Sequence, residues 1–236
     1  MKIRIKFRKY GVMKFIGHLD MMRYFQKCMR RGNINIAYSE GFSPHQIMSF
    51  AAPLGVGITS DGEYLDIEVK STKSSEQSLR DLNEVMAEGV EVTSYRRLSD
   101  SDKKAMSIVA AADYELWIKE GYEVPKVDYQ AALEEFFRKP EEILITKQTK
   151  KSEKVMDLKK LVYDFTIRME EKRPVFCLNV CTGSKDNIKP ELVLEAFYGF
   201  LGQDFHPLSI QVHRKDVYGM QDGQLMSLGE MGENIE

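Results

Sequence analysis

The sequence predicts an α+β protein made of two tandem ferredoxin-like (split βαβ) domains with antiparallel sheets, and three observations carry that expectation. Its 236 residues suit two domains of roughly 100 residues each better than one core. Apolar patterns of period 2 and period 3.6 alternate over residues 1–100 in the order strand, helix, strand, strand, helix, strand. Residues 108–218 repeat that order more loosely, which leaves a joint near Ser99 to Ala111 and a loose tail over 219–236.

Each element has its own reason. "KIRIKFRK" sets Ile3, Ile5 and Phe7 against Lys2, Arg4, Lys6 and Arg8, the signature of a half-buried strand with a cationic solvent side. In "HLDMMRYFQKCMRRGN", Met21, Met22, Phe25, Cys28 and Met29 share one helix side, Arg23, Lys27 and Arg30 the other, and Gly32 stops the helix. "IMSFAAPLGV" is an apolar strand and "GEYLDIEVK" an alternating one. "SSEQSLRDLNEVMAEG" is a capped helix ending at Gly89, and "VEVTSYRRL" closes the first half. In the second half "ADYELWIKE", "EEILITKQTKK", "LVYDFTIRME", "PVFCLNVC" and "LSIQVHRKDVYG" read as strands, with helices in "DYQAALEEFFRK" and "KPELVLEAFYGFLG".

Composition narrows the function. With 43% hydrophobic and 30% charged residues, no run near the roughly 20 apolar residues of a membrane span, and no apolar signal core at the N-terminus, a cytoplasmic protein without membrane contact is expected. Cys28, Cys177 and Cys181 form no even framework, which suits a reducing compartment. Phosphate-loop, G-x-S-x-G, H-E-x-x-H, paired C-x-x-C and three-cysteine iron-sulfur signatures are absent, so no metal and no cofactor is expected. The net charge of -2 conceals an asymmetry. Lys2, Arg4, Lys6, Arg8, Lys9, Lys14, Arg23, Lys27, Arg30 and Arg31 precede position 35, where Asp20 is the single acid. Such a distribution points to a polyanion or to a solvated basic face. A second basic run, Lys147, Lys150, Lys151 and Lys154, reads as a solvated hairpin tip.

The chemistry concentrates in "AYSEGFSPHQ". Gly41 allows a positive φ and Pro44 extends Ser43, so the neighbouring side chains are held apart. Tyr38 and Phe42 offer stacking faces, Ser39 and Ser43 small donors, and His45 a proton carrier, the mixture that a single-stranded nucleic acid needs. The same residues also suit an ordinary structured loop. His18, at a helix start before Asp20, is either a capping residue or, if it meets His45, half of an acid-base pair for a ribose hydroxyl.

Three spaced motifs in one order carry a family likeness: His18-Leu19-Asp20, Tyr38 through His45, and Ser60 through Tyr64. They resemble the N-terminal hallmark of the radical SAM-linked, or radical SAM-associated, uncharacterised bacterial proteins, a domain of unknown function. The resemblance implies a radical SAM enzyme as partner and no established activity. A weaker, architectural likeness is to the CRISPR repeat-processing endoribonucleases, whose C-terminal glycine-rich loop is not evident here.

The leading expectation is therefore a non-catalytic protein that binds RNA or presents it as substrate in tRNA or rRNA modification. Arg4, Lys6, Arg8, Arg23, Lys27 and Arg30 would hold phosphates, and Phe42, Ser43 and His45, with Tyr38, would contact a nucleotide. The alternatives are a metal-independent endoribonuclease using His18, His45 and Tyr38, and a protein-interaction module docking a radical SAM enzyme without RNA.

Overall fold

A computed structural model of the chain describes residues 1–148, 153–183 and 186–236. They form two compact units, Met1–Ala110 with Arg214–Glu236, and Ala111–His213. The elements of the first stretch are β1 (Lys2–Lys9), α1 (His18–Arg31), β2 (Met48–Phe50), β3 (Thr59–Glu68), α2 (Ser75–Val85), β4 (Val90–Leu98) and a short α3 (Ala105–Ile108). Then come β5 (Val109–Ile118), α4 (Tyr129–Leu133) with a π-helical continuation over Glu134–Arg138, β6 (Leu144–Gln148), β7 (Glu153–Asp157), α5 (Leu158–Leu161), β8 (Val162–Glu170), β9 (Arg173–Cys181) and α6 (Pro190–Phe200). The chain ends with β10 (Ile210–Gln221) and β11 (Gln224–Ser227). The class is α+β, with mostly antiparallel sheets.

In the first unit the strand order is β4-β1-β3-β10, with β2 also on β3 and β11 on β10. β1 is central, placing Ile5 opposite both Leu65 and Tyr95. The apolar side of α1 closes over this sheet, and Phe7, Phe25 and Phe50 meet with ring centroids 4.7–6.0 Å apart. The predicted cap of α2 is in place: the Ser74 hydroxyl accepts from the Gln77 amide at 3.2 Å.

Three boundaries differ from the sequence reading. α2 ends at Val85, where Met86 turns extended, and Gly89 lies in the turn before β4 instead of closing the helix. Residues 214–218, assigned from periodicity to the second domain, belong to the first unit as part of β10. The tail, expected to be loose, is packed: β11 pairs with β10, Leu228 and Met231 are buried, and Glu233 exchanges backbone hydrogen bonds with Arg97. Its glycines and methionines resemble a linker in composition, yet its apolar side chains find a core.

The seam between β3 and β10 leaves no room at Gly62. A Cβ there would stand 2.6 Å from the Asp216 Cα and 2.7 Å from the Lys215 carbonyl oxygen, both main-chain atoms. Gly62→Ala is therefore expected to destabilise the protein by about 1–3 kcal/mol. The check is a lower denaturant midpoint with an unchanged slope.

In the second unit the order is β10-β5-β9-β8. α4, its π-helical continuation and α6 cover one face of that sheet, where Phe136, Phe165, Phe176 and Phe197 are buried with centroids 5.3–6.1 Å apart. Of the segment "EEILITKQTKK", Leu144–Gln148 forms the expected strand, and it pairs with β7 in a separate two-stranded sheet. Alternation makes a strand but does not choose its partner. Of the basic run there, Lys150 and Lys151 lie outside the described residues, while the backbones of Lys147 and Lys154 stand opposite each other.

Candidate functional site

The cationic row of β1 is matched by acids delivered across the sheet. Arg4 stands opposite Asp66 in the register, and its Nε and Nη2 donate to the carboxylate at 2.8 and 3.0 Å. The same carboxylate accepts from the Ala105 amide at 2.6 Å. Lys6 reaches Asp216 at 3.3 Å, and Asp216 also accepts from the hydroxyls of Tyr64 and Ser227. Burial and the Asp216 carboxylate push the Tyr64 phenol well above its usual range. Arg8 is shared by Asp61 at 2.8 Å and Glu91 at 3.2 Å.

This corrects the expectation of a cationic solvent side. Arg4 is 2% exposed, so no phosphate reaches it, and Lys6 and Arg8 hold carboxylates. The covering groups arrive from β3, β4 and β10, which strand alternation in β1 does not reveal.

The cations of α1 are differently placed. Arg23, Lys27 and Arg30 are exposed along one side of the helix. Arg23 bonds Asp20 one turn earlier at 3.0 Å, a solvent-screened pair worth little.

The loop after α1 is held at its base. Tyr38 bridges to Gln46, the Ser39 amide donates to the His45 carbonyl at 2.8 Å, and the His45 amide donates to the Ser39 hydroxyl at 3.1 Å. Ser39 Oγ also lies 2.8 Å from His45 Nδ1, and which of the two donates depends on the ring tautomer. The Gln46 side-chain amide donates to the Gln26 carbonyl at 3.2 Å, fastening the loop to α1 one residue from Lys27. Gly41 has φ +104°, in the region that favours glycine, and beyond it Phe42, Ser43 and His45 are exposed. Phe42 is 110% exposed, an apolar ring wholly in water.

The loop that carries Tyr38, Phe42, Ser43 and His45 is joined to α1 through Gln46, whose side-chain amide also reaches the Tyr38 hydroxyl at 3.4 Å. His18 goes elsewhere: its ring stands edge-on to Phe50 with centroids 5.2 Å apart, and no contact joins it to His45 among the described residues. Sequence reading missed an apolar patch where the chain enters α1. Val12, Phe15, Leu19 and Val56 are 62–77% exposed, and the Gly57 amide ties the last segment to the Lys14 carbonyl at 2.8 Å. Leu19 lies four residues before Arg23, so helical spacing alone continues the patch into the cationic row. Among the described residues no group of three His, Cys, Asp or Glu side chains is gathered as a metal site, and no helix is long and apolar enough to cross a membrane.

The sequence model of a family described as "Uncharacterized protein conserved in bacteria (DUF2344)" matches residues 2–190. No curated protein matches. Among solved structures, a chain of "Crystal Structure of a Cbf5-Nop10-Gar1 Complex" is similar at a TM-score of 0.48 and 11% identity, over 91% of this chain and 48% of that one. The chain thus spans about half the length of that structural neighbour.

Proposed function

The chain belongs to the DUF2344 family of uncharacterised proteins conserved in bacteria, and from that premise we propose that it binds single-stranded RNA, without cleaving it, on the face made by α1 and the Tyr38–His45 loop. The observation that carries this reading is Phe42, fully exposed on a loop whose base is bonded to α1 beside Lys27. A ring in water is unfavourable unless something covers it, and a nucleobase does so by stacking. Arg23, Lys27 and Arg30 supply phosphate contacts on the same helix, and the exposed ring of His45, bonded to Ser39 through Nδ1, offers Nε2 as a further polar contact. Cleavage finds less support, since His45 is engaged by Ser39 and His18 by Phe50.

We further infer that each unit is ferredoxin-like. The element order of the first and its strand order β4-β1-β3 with β2 beyond support this, as does β10-β5-β9-β8 in the second, with β6 and β7 as an insertion.

A second reading is favoured by Val12, Phe15, Leu19 and Val56: the same face docks a protein whose acidic, apolar surface matches it, and the motif resemblance names a radical SAM enzyme as that partner. One titration separates the two. Labelled single-stranded RNA is added to the purified chain and to Arg23→Glu/Lys27→Glu/Arg30→Glu over a range of salt. Binding that the triple substitution weakens supports the RNA reading, and no binding at about 0.1 M salt leaves the docking reading.

A further inference from the structure

In the second unit all the helical packing described above lies on one sheet face; the opposite face carries a depression of about 760 Å³ lined by Trp117, Arg168, Arg173, Glu115, Glu170 and Val175. The register explains why these meet. Trp117 of β5, Val175 of β9 and Arg168 of β8 form one row across three strands, and Glu115, Cys177 and Thr166 form the next. Val175 is buried, so the row has an indole at one end, an apolar floor, and a guanidinium at the other.

Both guanidinium groups are fixed in place. Arg168 donates to Glu115 at 2.9 Å and to Glu170 at 2.8 Å, and its Nη1 also contacts the Cys177 sulfur at 3.1 Å. Among the described residues its Nη2 makes no hydrogen bond. Arg173 donates to the Ile118 and Lys119 carbonyls at 3.2 and 2.9 Å. The carboxylates that hold Arg168 cancel its charge, so this surface has little general attraction for phosphate. What it offers is a flat ring beside an oriented planar donor, the requirement for gripping an unpaired base by its face and its edge.

We propose that this depression is a nucleobase subsite, with Trp117 as the stacking surface and Arg168 Nη2 as the edge donor. The proposal rests on the RNA-binding reading above and extends it to the second unit, with a different physical signature: stacking at Trp117 changes little with salt, whereas phosphate contacts on α1 weaken steeply as salt rises.

Trp117 is the only tryptophan in the chain, so intrinsic fluorescence reports this site alone. The full-length chain is titrated with an adenine homo-oligonucleotide of about ten residues and separately with AMP, with emission corrected for nucleotide absorption and oligonucleotide binding followed by anisotropy of a 3′ label. Saturable quenching with the midpoint seen by anisotropy is expected. Trp117→Ala is expected to weaken oligonucleotide binding by about tenfold or more at both low and high salt without changing the salt slope, and Trp117→Phe to recover most of the loss. Arg168→Gln retains the reporter, should weaken quenching, and guards against a misfolded Trp117 variant. Oligonucleotide binding with unchanged emission and no effect of Trp117→Ala overturns the subsite and leaves the RNA reading intact. Quenching by AMP without oligonucleotide binding keeps the subsite, assigns it to a free nucleotide, and removes the RNA reading. Neither quenching nor binding overturns both.

Discussion

Replacing Arg214 with methionine is expected to lower the unfolding free energy by about 3–5 kcal/mol, the largest effect of any single substitution considered for this protein. Arg214 Nε and Nη2 grip the two oxygens of Glu63 at 2.8 and 2.5 Å, with side-chain exposures of 3% and 4%. Nη2 also donates to the Ala52 carbonyl at 2.9 Å, so one guanidinium joins β10 to β3 and to the segment after β2. Losing it leaves Glu63 charged and dry. The nearby cation is Lys9, itself 3% exposed; burial pushes its ammonium below its usual range, Glu63 pulls it back up and Arg214 lowers it further. Lys9 softens the loss of Arg214 without replacing a two-pronged partner. Arg214→Met combined with Glu63→Leu should recover most of the stability, since an apolar pair of similar volume often matches a buried ion pair. Denaturant unfolding of the two single variants and the double variant checks this. A loss below about 1 kcal/mol in Arg214→Met would show that the pair matters little.

The second large effect concerns binding. Arg23→Glu/Lys27→Glu/Arg30→Glu is expected to cut single-stranded RNA affinity on the order of a hundredfold at about 0.1 M salt, and to flatten the plot of log affinity against log salt by roughly 2. Each lost phosphate contact removes about 0.7 from that slope for a single strand. The fold should be untouched, because all three side chains project into solvent and the apolar side of α1, with Met21, Phe25, Cys28 and Met29, keeps its packing. Reversal of Lys6 and Arg8 would not be a comparable control, since their carboxylate partners would be left facing like charge. A variant that binds as tightly as the natural chain with the same salt slope would place the phosphate contacts elsewhere.

Much of this was legible in the residues. The alternation of β1, the apolar stripe of α1 and the cap of α2 each follow from local spacing, and each is where that spacing puts it. The positive φ of Gly41 was legible in the same way, because glycine adopts it without strain. What was not legible depends on distant partners. Arg4 looks identical in sequence whether water or Asp66 lies opposite, and Asp66 is 62 residues away. Trp117 alternates with Leu116 and Ile118 as any strand residue would, and only the register lays Val175 and Arg168 beside it. His18 and His45 both had the chemistry of an acid-base pair, and the sequence does not reveal that the His18 ring stands edge-on to Phe50 while the His45 ring stands beside Ser39.

The division of β10 bears on how the protein is made. Its first four residues lie in the second unit and the rest, from Arg214 onward, in the first. On the ribosome the second unit therefore has its whole sequence in hand while the first still waits for Arg214 and Asp216. Until they emerge, Glu63 lacks its two-pronged partner, and Tyr64 and Lys6, which stand against each other, lack the Asp216 carboxylate. The unit that starts first is completed last, and during that interval the nascent chain carries Glu63 offset by Lys9 without its two-pronged partner, beside an open strand edge to which a chaperone or a partner protein can add.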